Sequence, residues 1–286
     1  MDTLNNMCNM SKTYNIDKLV KDYLDNPKGI LDLTSLNFSM GYKGNSSHGM
    51  LFKANTEKYY FKLSQFFEYV GGSYSYESVC EVIGSRLCNL LGFENAGYRI
   101  VHAKIKISNR EYTEWLCVSE NYKRTDEHRT TLENFIRFRG GDTLDLLYNF
   151  NICKSEPFFN KLVQMMFVDY LMDNRDRHGA NIELLISDNK TRLSPIYDLG
   201  CSLISTCQYD EDKINKFDIR HDGPVNNFLV SMFWKDIMNE IRPYLKKPYI
   251  NIDNLYLDDL KPCFKENGDL IINKIKLMIK ERYIYA

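Results

Sequence analysis

The sequence predicts an α+β chain in two lobes, the first rich in β-strands and the second mainly helical, and three observations carry this. Between residues 36 and 122, short apolar runs at 58–63, 98–107 and 112–122 are broken by glycine-, serine- and asparagine-bearing turns, as in hairpin-linked strands. Beyond residue 123 the apolar residues fall at helical spacing instead, with 158, 159, 162, 163, 166, 167 and 170 forming one stripe. The third observation is the string DNRDRHGAN at 173–181, followed by an apolar run from Ile182, a turn at Ser187–Lys190 and a second run ending in YDLG at 197–200. It reads as a helix emptying into a polar loop and then a hairpin, with chemistry at both ends.

Composition narrows the function classes. With 37 Lys and Arg against 38 Asp and Glu, the net charge is −1, and no basic block is long enough to grip a phosphate backbone. Direct nucleic-acid binding is therefore not expected. The eight cysteines include no C-x-x-C pair and several sit in apolar stretches, which predicts reduced, mostly buried thiols rather than a disulfide framework or a zinc site. No run approaches the roughly 18 apolar residues of a membrane span, and the N-terminus lacks a basic start followed by an apolar core. The expectation is a cytoplasmic protein with no membrane insertion.

In chain order, residues 1–35 form an extension packing on the first lobe: a short helix through Ile16–Leu24, a turn at Asp25–Gly29, and entry into Ile30 and Leu31. The first lobe, 36–122, opens with a polar loop from Ser39 to Gly49 between two strands. Its Gly41, Lys43 and Gly44 suit backbone N–H contacts to phosphate, because glycine allows close approach. Lys62 lies within an aromatic strand run, where a lysine needs an anionic partner or an edge position facing solvent. Alternation alone leaves both open. After a turn at Gly71–Tyr76, a helix over 77–92 carries Glu77 and Glu81 on one face, either within reach of Lys62. The hairpin with its turn at Ser108–Arg110 ends at Glu120 and Tyr122, apolar and then suddenly polar, as a connection between lobes would be. The second lobe, 123–286, begins with a charged stretch at Lys123–Arg139 that reads as a solvated connection. Later comes an irregular polar stretch from Gln208 to Asn226, whose acids Asp210, Glu211 and Asp212 face different ways and so read as solvated rather than as a metal cluster. Helical patterns over Asn227–Leu245 and Asp269–Tyr283 brace the lobe.

A phosphoryl-transfer site needs a carboxylate to orient the attacking hydroxyl, an amide oxygen five residues on for the metal, and a second carboxylate bridging Mg²⁺ to phosphate. Asp176, Asn181 and Asp198 have that order and spacing. D-R-H-x-x-N followed by a hairpin and Y-D-x-G resembles the catalytic and metal-binding segments of HipA-like kinases, the protein-kinase-like serine/threonine kinases of bacterial toxin and persistence systems. The H-R-D order of eukaryotic kinases is absent, and with about 35 residues before the glycine-bearing loop the resemblance is to compact, stand-alone members.

The resemblance implies a two-lobed protein-kinase-like fold that uses ATP and Mg²⁺ to phosphorylate a protein substrate. In that reading Asp176 orients the hydroxyl, Asn181 and Asp198 hold metal and nucleotide, and Lys62, positioned by Glu81, meets phosphate. Glu120 and Tyr122 present hinge backbone to adenine, and His178 and Arg177 brace the catalytic loop. It further implies self-phosphorylation at a loop serine, with Ser39, Ser46 and Ser47 as candidates, and an antitoxin-type partner protein. A related motif in phosphatidylinositol kinases keeps a phosphoinositide or small-alcohol kinase open as a second reading. A nucleotide-binding pseudokinase acting through partners is the third.

Overall fold

A computed structural model describes residues 16–40, 51–68, 70–141, 146–188, 190–227 and 232–286. Gly41, Lys43, Gly44, Ser46 and Ser47 lie outside the described residues. The chain divides into two compact units, Met1–Val82 with Gly97–Asn121, and Ile83–Ala96 with Tyr122–Ala286.

The first unit is built on one mixed sheet. After a helix over 16–25 (α1) come strands β1 (Leu31–Asp32), β2 (Ser39–Met40), β3 (Phe52–Asn55), β4 (Tyr59–Leu63), β5 (Phe66–Phe67) and β6 (Gly72–Ser73). The helix α2 (Glu77–Leu91) and the long strands β7 (Arg99–Ile107) and β8 (Arg110–Glu120) follow. Six strands pair in the order β1-β7-β8-β4-β3-β2, and β5 pairs with β6. Ile107 faces Arg110 across a two-residue turn whose Ser108 and Asn109 have φ of 47° and 67°. Both positive angles are what a tight hairpin demands if its strands are to keep their natural twist. Alternate residues, among them Phe61, Leu63, Val101, Ala103, Ile105, Leu116 and Val118, share one buried core onto which Ile16, Val20 and Tyr23 of α1 pack. The short N-terminal helix, the strand of Lys62, α2 and the hairpin at Ser108–Arg110 are as expected, whereas Ser39–Met40 and Gly72–Ser73, expected in a loop and a turn, form strands.

The division between units falls within α2, after Val82. That helix ends at Gly92 (φ 73°), where the N–H of Phe93 bonds Cys88 O at 2.8 Å and that of Gly92 bonds Asn89 O at 3.1 Å. The paired bonds close the last turn, and glycine alone takes the left-handed angle without strain.

The second unit contains β9 (His128–Thr131), α3 (Leu132–Phe138), α4 (Leu146–Lys154), α5 (Phe159–Met172), β10 (Asp176–Arg177), β11 (Glu183–Ser187) and β12 (Lys190–Leu193). It continues through α6 (Glu211–Lys216), β13 (Pro224–Asn227), β14 (Met232–Phe233), α7 (Trp234–Ile241) and α8 (Gly268–Tyr285). The helix α5 is buried nearly all round, from Leu162 to Met172, so it is the unit's core and not a surface helix. Two three-stranded sheets accompany it, β12-β11-β9 and β10-β13-β14.

Three expectations change. Lys123–Arg139 is no plain solvated connection, because β9 pairs antiparallel with β11 and α3 buries Leu132 and Ile136. Its Thr131 side chain caps the helix by accepting the N–H of Asn134. The polar stretch after Gln208 is partly ordered: Asp210 caps α6 by accepting the Lys213 N–H, and Pro224–Asn227 forms a strand. The helix expected from Asn227 starts at Trp234, because the strand pairing of Val225 with Met232 and of Asp176 with Asn226 overrides helical spacing. Among the described residues no helix is long and apolar enough to cross a membrane.

Candidate active site

In the first unit the geometry decides what alternation left open. Strand β4 lies between β3 and β8, so Lys62 is not on an edge, and it is 7% exposed. Its ammonium pairs with the Glu81 carboxylate, which is fully buried. Glu77 does something else: its Oε2 accepts the Gln65 N–H at 3.0 Å, while Ser64 Oγ accepts the Ser78 N–H at 3.0 Å. These two bonds pin the start of α2 to the end of β4, which turns the next helical turn and Glu81 toward Lys62. A buried ion pair adds little stability once desolvation is counted, so its presence points to a use for the lysine. Glu120 ends β8 opposite Tyr59, its side chain exposed and 3.7 Å from Arg99.

Tyr122 opens the second unit and uses its side chain. Its hydroxyl donates to Glu183 Oε2 at 2.8 Å, and the ring lies 5.9 Å from that of Tyr197 with the Arg129 guanidinium 5.5 Å from its centroid. Burial first, then Tyr197 and Glu183, push the Tyr122 hydroxyl pKa well above its ordinary value, keeping it a donor. Nearby, Arg192 forks onto Glu127 at 2.7 and 2.9 Å and donates to Tyr122 O at 3.2 Å.

The residues of the string at 173–181 hang on the end of α5. Asp173 terminates the helix in the left-handed region (φ 50°, ψ 45°). An aspartate there is uncommon and needs support, which its fully buried carboxylate receives from Arg175 Nη2 at 2.9 Å and Arg282 Nη2 at 2.8 Å. Arg177, also fully buried, grips Asp169 of α5 through Nε at 2.9 Å and Nη2 at 3.0 Å and reaches Asn181 O through Nη1 at 3.1 Å. Burial works against its charge, but the Asp169 carboxylate outweighs that and holds the guanidinium pKa above its ordinary value. The expected brace is thus a bidentate one.

Three further bonds, all made by Asn174, connect Asp169, Asp176 and Asp198. Asn174 Oδ1 accepts the Asp176 N–H at 3.3 Å, its Nδ2 donates to Asp198 O at 3.4 Å and to Asp169 Oδ1 at 2.8 Å. One amide side chain therefore holds the backbones of both acids. Asn181 Nδ2 donates to Asp176 O at 3.0 Å, which leaves its amide oxygen as the atom to offer a cation. The Asp176 carboxylate is partly exposed, 3.7 Å from His178 Nε2. Asp198 has φ 59°, another left-handed non-glycine residue beside the site.

Two glycines allow close approach. A Cβ at Gly179 would stand 2.9 Å from Glu133 Cβ and 3.1 Å from its backbone nitrogen, so DRHG packs directly on α3. At Gly84 of α2 a Cβ would meet Leu199 Cβ at 3.2 Å, which shows how tightly the residue after Asp198 seats on that helix. Beyond it, Arg175 N–H bonds Cys201 O at 3.0 Å and Leu203 N–H bonds Met172 O at 2.6 Å, tying the segment after Asp198 to the catalytic loop.

The sequence reading missed Asp169, Asn174 and Arg282. Asp169 carried a signal, a carboxylate inside the apolar stripe of α5; Asn174 stood within the string but had no role there; Arg282 carried none.

No curated protein matches the chain. Among solved structures, the Helicobacter pylori proinflammatory kinase CtkA aligns with a TM-score of 0.54 at 14% identity, covering 90% of this chain and 95% of that one. At that identity the likeness shows a shared, kinase-like fold. The HipA of a Shewanella oneidensis toxin–antitoxin complex with HipB and operator DNA aligns with a TM-score of 0.42 at 15% identity, over 94% of this chain and 70% of that one. The HipA-like C-terminal domain model matches residues 27–229, well over half of the 286 residues, and the chain therefore belongs to the HipA-like family.

Proposed function

We propose that this chain is an ATP- and Mg²⁺-dependent protein kinase that transfers the γ-phosphate of ATP to a serine or threonine hydroxyl. The observation that supports this most is Asn174, whose single amide tethers the backbones of Asp176 and Asp198, the two acids such a reaction requires. Asp176 orients the attacking hydroxyl and accepts its proton late, a task that needs placement more than basicity. His178 stands beside that carboxylate and keeps the loop's shape rather than moving the proton. Lys62, held by Glu81, offers a fixed positive charge to phosphate oxygens.

The donor set suits a hard divalent cation. Asn181 offers an amide oxygen and Asp198 a carboxylate, and among the described residues no group of three or more His, Cys, Asp or Glu forms a competing metal cage. Mg²⁺ is commonly held by so few protein ligands, its shell completed by water and phosphate oxygens. When bound it supplies neutralisation of the phosphate charge. Glu120 and Tyr122 would present backbone groups to adenine, and Gly41, Lys43 and Gly44 would contact the phosphates.

The protein substrate, an antitoxin-type partner, self-phosphorylation at Ser39, Ser46 or Ser47 and a cytoplasmic setting rest on family membership. The described cysteines form no disulfide with one another and are mostly buried, in keeping with a reducing compartment. Transfer of labelled γ-phosphate to the protein and to a cell extract, followed by phospho-amino-acid analysis, tests the reading. Phosphoserine or phosphothreonine is expected. Label confined to lipid or a small alcohol, or ATP binding without transfer, would replace it.

A further inference from the structure

We infer that Arg282, on α8 and 106 residues beyond Asp176 (282 − 176), is a positioning residue for phosphoryl transfer, clamping the two backbone segments that pair at Asp176. The inference rests on the kinase reading for its catalytic consequence, although the clamp itself does not.

Arg282 is 4% exposed, an unusual place for a guanidinium on a helix whose other buried residues are aliphatic or glycine. Its Nη1 donates to Tyr170 O at 2.8 Å, in the last turn of α5, where that carbonyl also accepts the capping Asp173 N–H at 3.2 Å. Its Nη2 donates to Asp173 Oδ1 at 2.8 Å and also to His221 O. The guanidinium stacks over the Tyr170 ring with 5.2 Å to the centroid. His221 Nδ1 lies 3.5 Å from the other Asp173 oxygen, which closes the junction.

The two arms lead to the same place. Asp173 is three residues before Asp176, and His221 is five before Asn226; Asp176 and Asn226 are partners in the parallel pairing of β10 with β13. A two-residue strand has few ladder bonds of its own, so its register depends on what holds its ends. Arg282 holds both on the N-terminal side. Only a planar fork reaches three acceptors in fixed directions; an ammonium keeps the charge and loses that geometry.

The test uses the full chain with Arg282→Met and Arg282→Lys, read by steady-state kinetics and by amide hydrogen exchange. Arg282→Met should lower kcat by about 100-fold while leaving KM for ATP nearly unchanged, the pattern of a misplaced reacting group. Arg282→Lys should recover part of kcat. Exchange should quicken at 174–178 and 221–227 and stay as in the parent at 99–120, and this readout decides on the clamp even if the parent proves to transfer no phosphate. Exchange unchanged at 174–178 and 221–227 in both variants would overturn the inference. So would a fall in ATP affinity matching that in kcat, or exchange that quickens evenly along the chain. Should Arg282→Met not fold, the lysine variant carries the same comparison.

Discussion

The Lys62–Glu81 pair of the first unit and the side-chain web around Asp176 and Asp198 in the second are built differently. In the first unit a single buried pair, Lys62 with Glu81, is set by the register of a wide sheet and by two bonds that fix the start of α2. In the second unit, Asp176 and Asp198 sit in a web in which Asp169, Asp173, Asn174, Arg177 and Arg282 each serve more than one partner. A strand places its side chains by pleat and needs little help. Loop segments carrying left-handed residues, one at Asp173 and another at Asp198 and Leu203, have no such scaffold and must be held by side chains. Substitutions in the web should therefore couple strongly to one another, and those at the pair should couple to each other but add with those in the web.

The largest effect is expected at Asp169. Asp169→Ala leaves the Arg177 guanidinium buried without its carboxylate, so stability measured in urea should fall by about 3–5 kcal/mol and phosphate transfer should vanish. Asp169→Ala combined with Arg177→Met should destabilise less than the sum of the two. Strict additivity would mean that the web is not a unit.

The pair is tested by Lys62→Met, which strands Glu81 and should also lower stability by about 3–5 kcal/mol. Lys62→Met with Glu81→Leu should regain most of that stability and none of the transfer. If the double variant transfers phosphate, the lysine has no part in the reaction.

Gly179→Ala comes next. The new Cβ meets Glu133, so the loop must shift, with a stability loss of about 1–3 kcal/mol and a larger proportional loss of kcat than of ATP affinity. An unchanged kcat would show that the loop tolerates displacement.

The smallest effect concerns pH. The bond from Arg192 to Glu127 holds that carboxyl pKa below its ordinary 4.5. A depressed folded-state value contributes stability above the unfolded pKa, lost as pH falls through the folded one. Urea midpoints of Glu127→Gln should accordingly lie below those of the parent near neutral pH and approach them on the acid side of about 4.5, where the parent loses its advantage. A constant offset at every pH would assign Glu127 a role in packing alone.

Legibility in the sequence follows the same contrast. The family was legible in Asp176, Asn181 and Asp198, because their order and spacing around one local hairpin is itself the signal. Most strands and the helix α2 were readable from period and from turn chemistry at Ser108, Asn109 and Gly92. The choice of Glu81 over Glu77 came from the family resemblance alone, since both share a face and the bonds to Ser64 and Gln65 that orient the helix leave no local pattern. The charged stretch at Lys123–Arg139 misled because its charges outnumber Leu132 and Ile136, the two residues that bury α3. Arg282 meets Asp173 across 109 positions, and no local pattern announces a contact of that range. Gly84 and Gly179 likewise owe their meaning to Leu199 and Glu133, which only folding brings near.

In the proposed kinase reading Asp176 is held in place to receive a hydroxyl proton during phosphoryl transfer, and a single-turnover experiment from the preformed ATP complex puts this to the test. Asp176→Asn keeps the shape and removes the charge. Its transfer rate should fall by about 10²–10⁴-fold while ATP affinity and urea stability stay as in the parent. A variant that transfers phosphate at the parental rate would contradict the account.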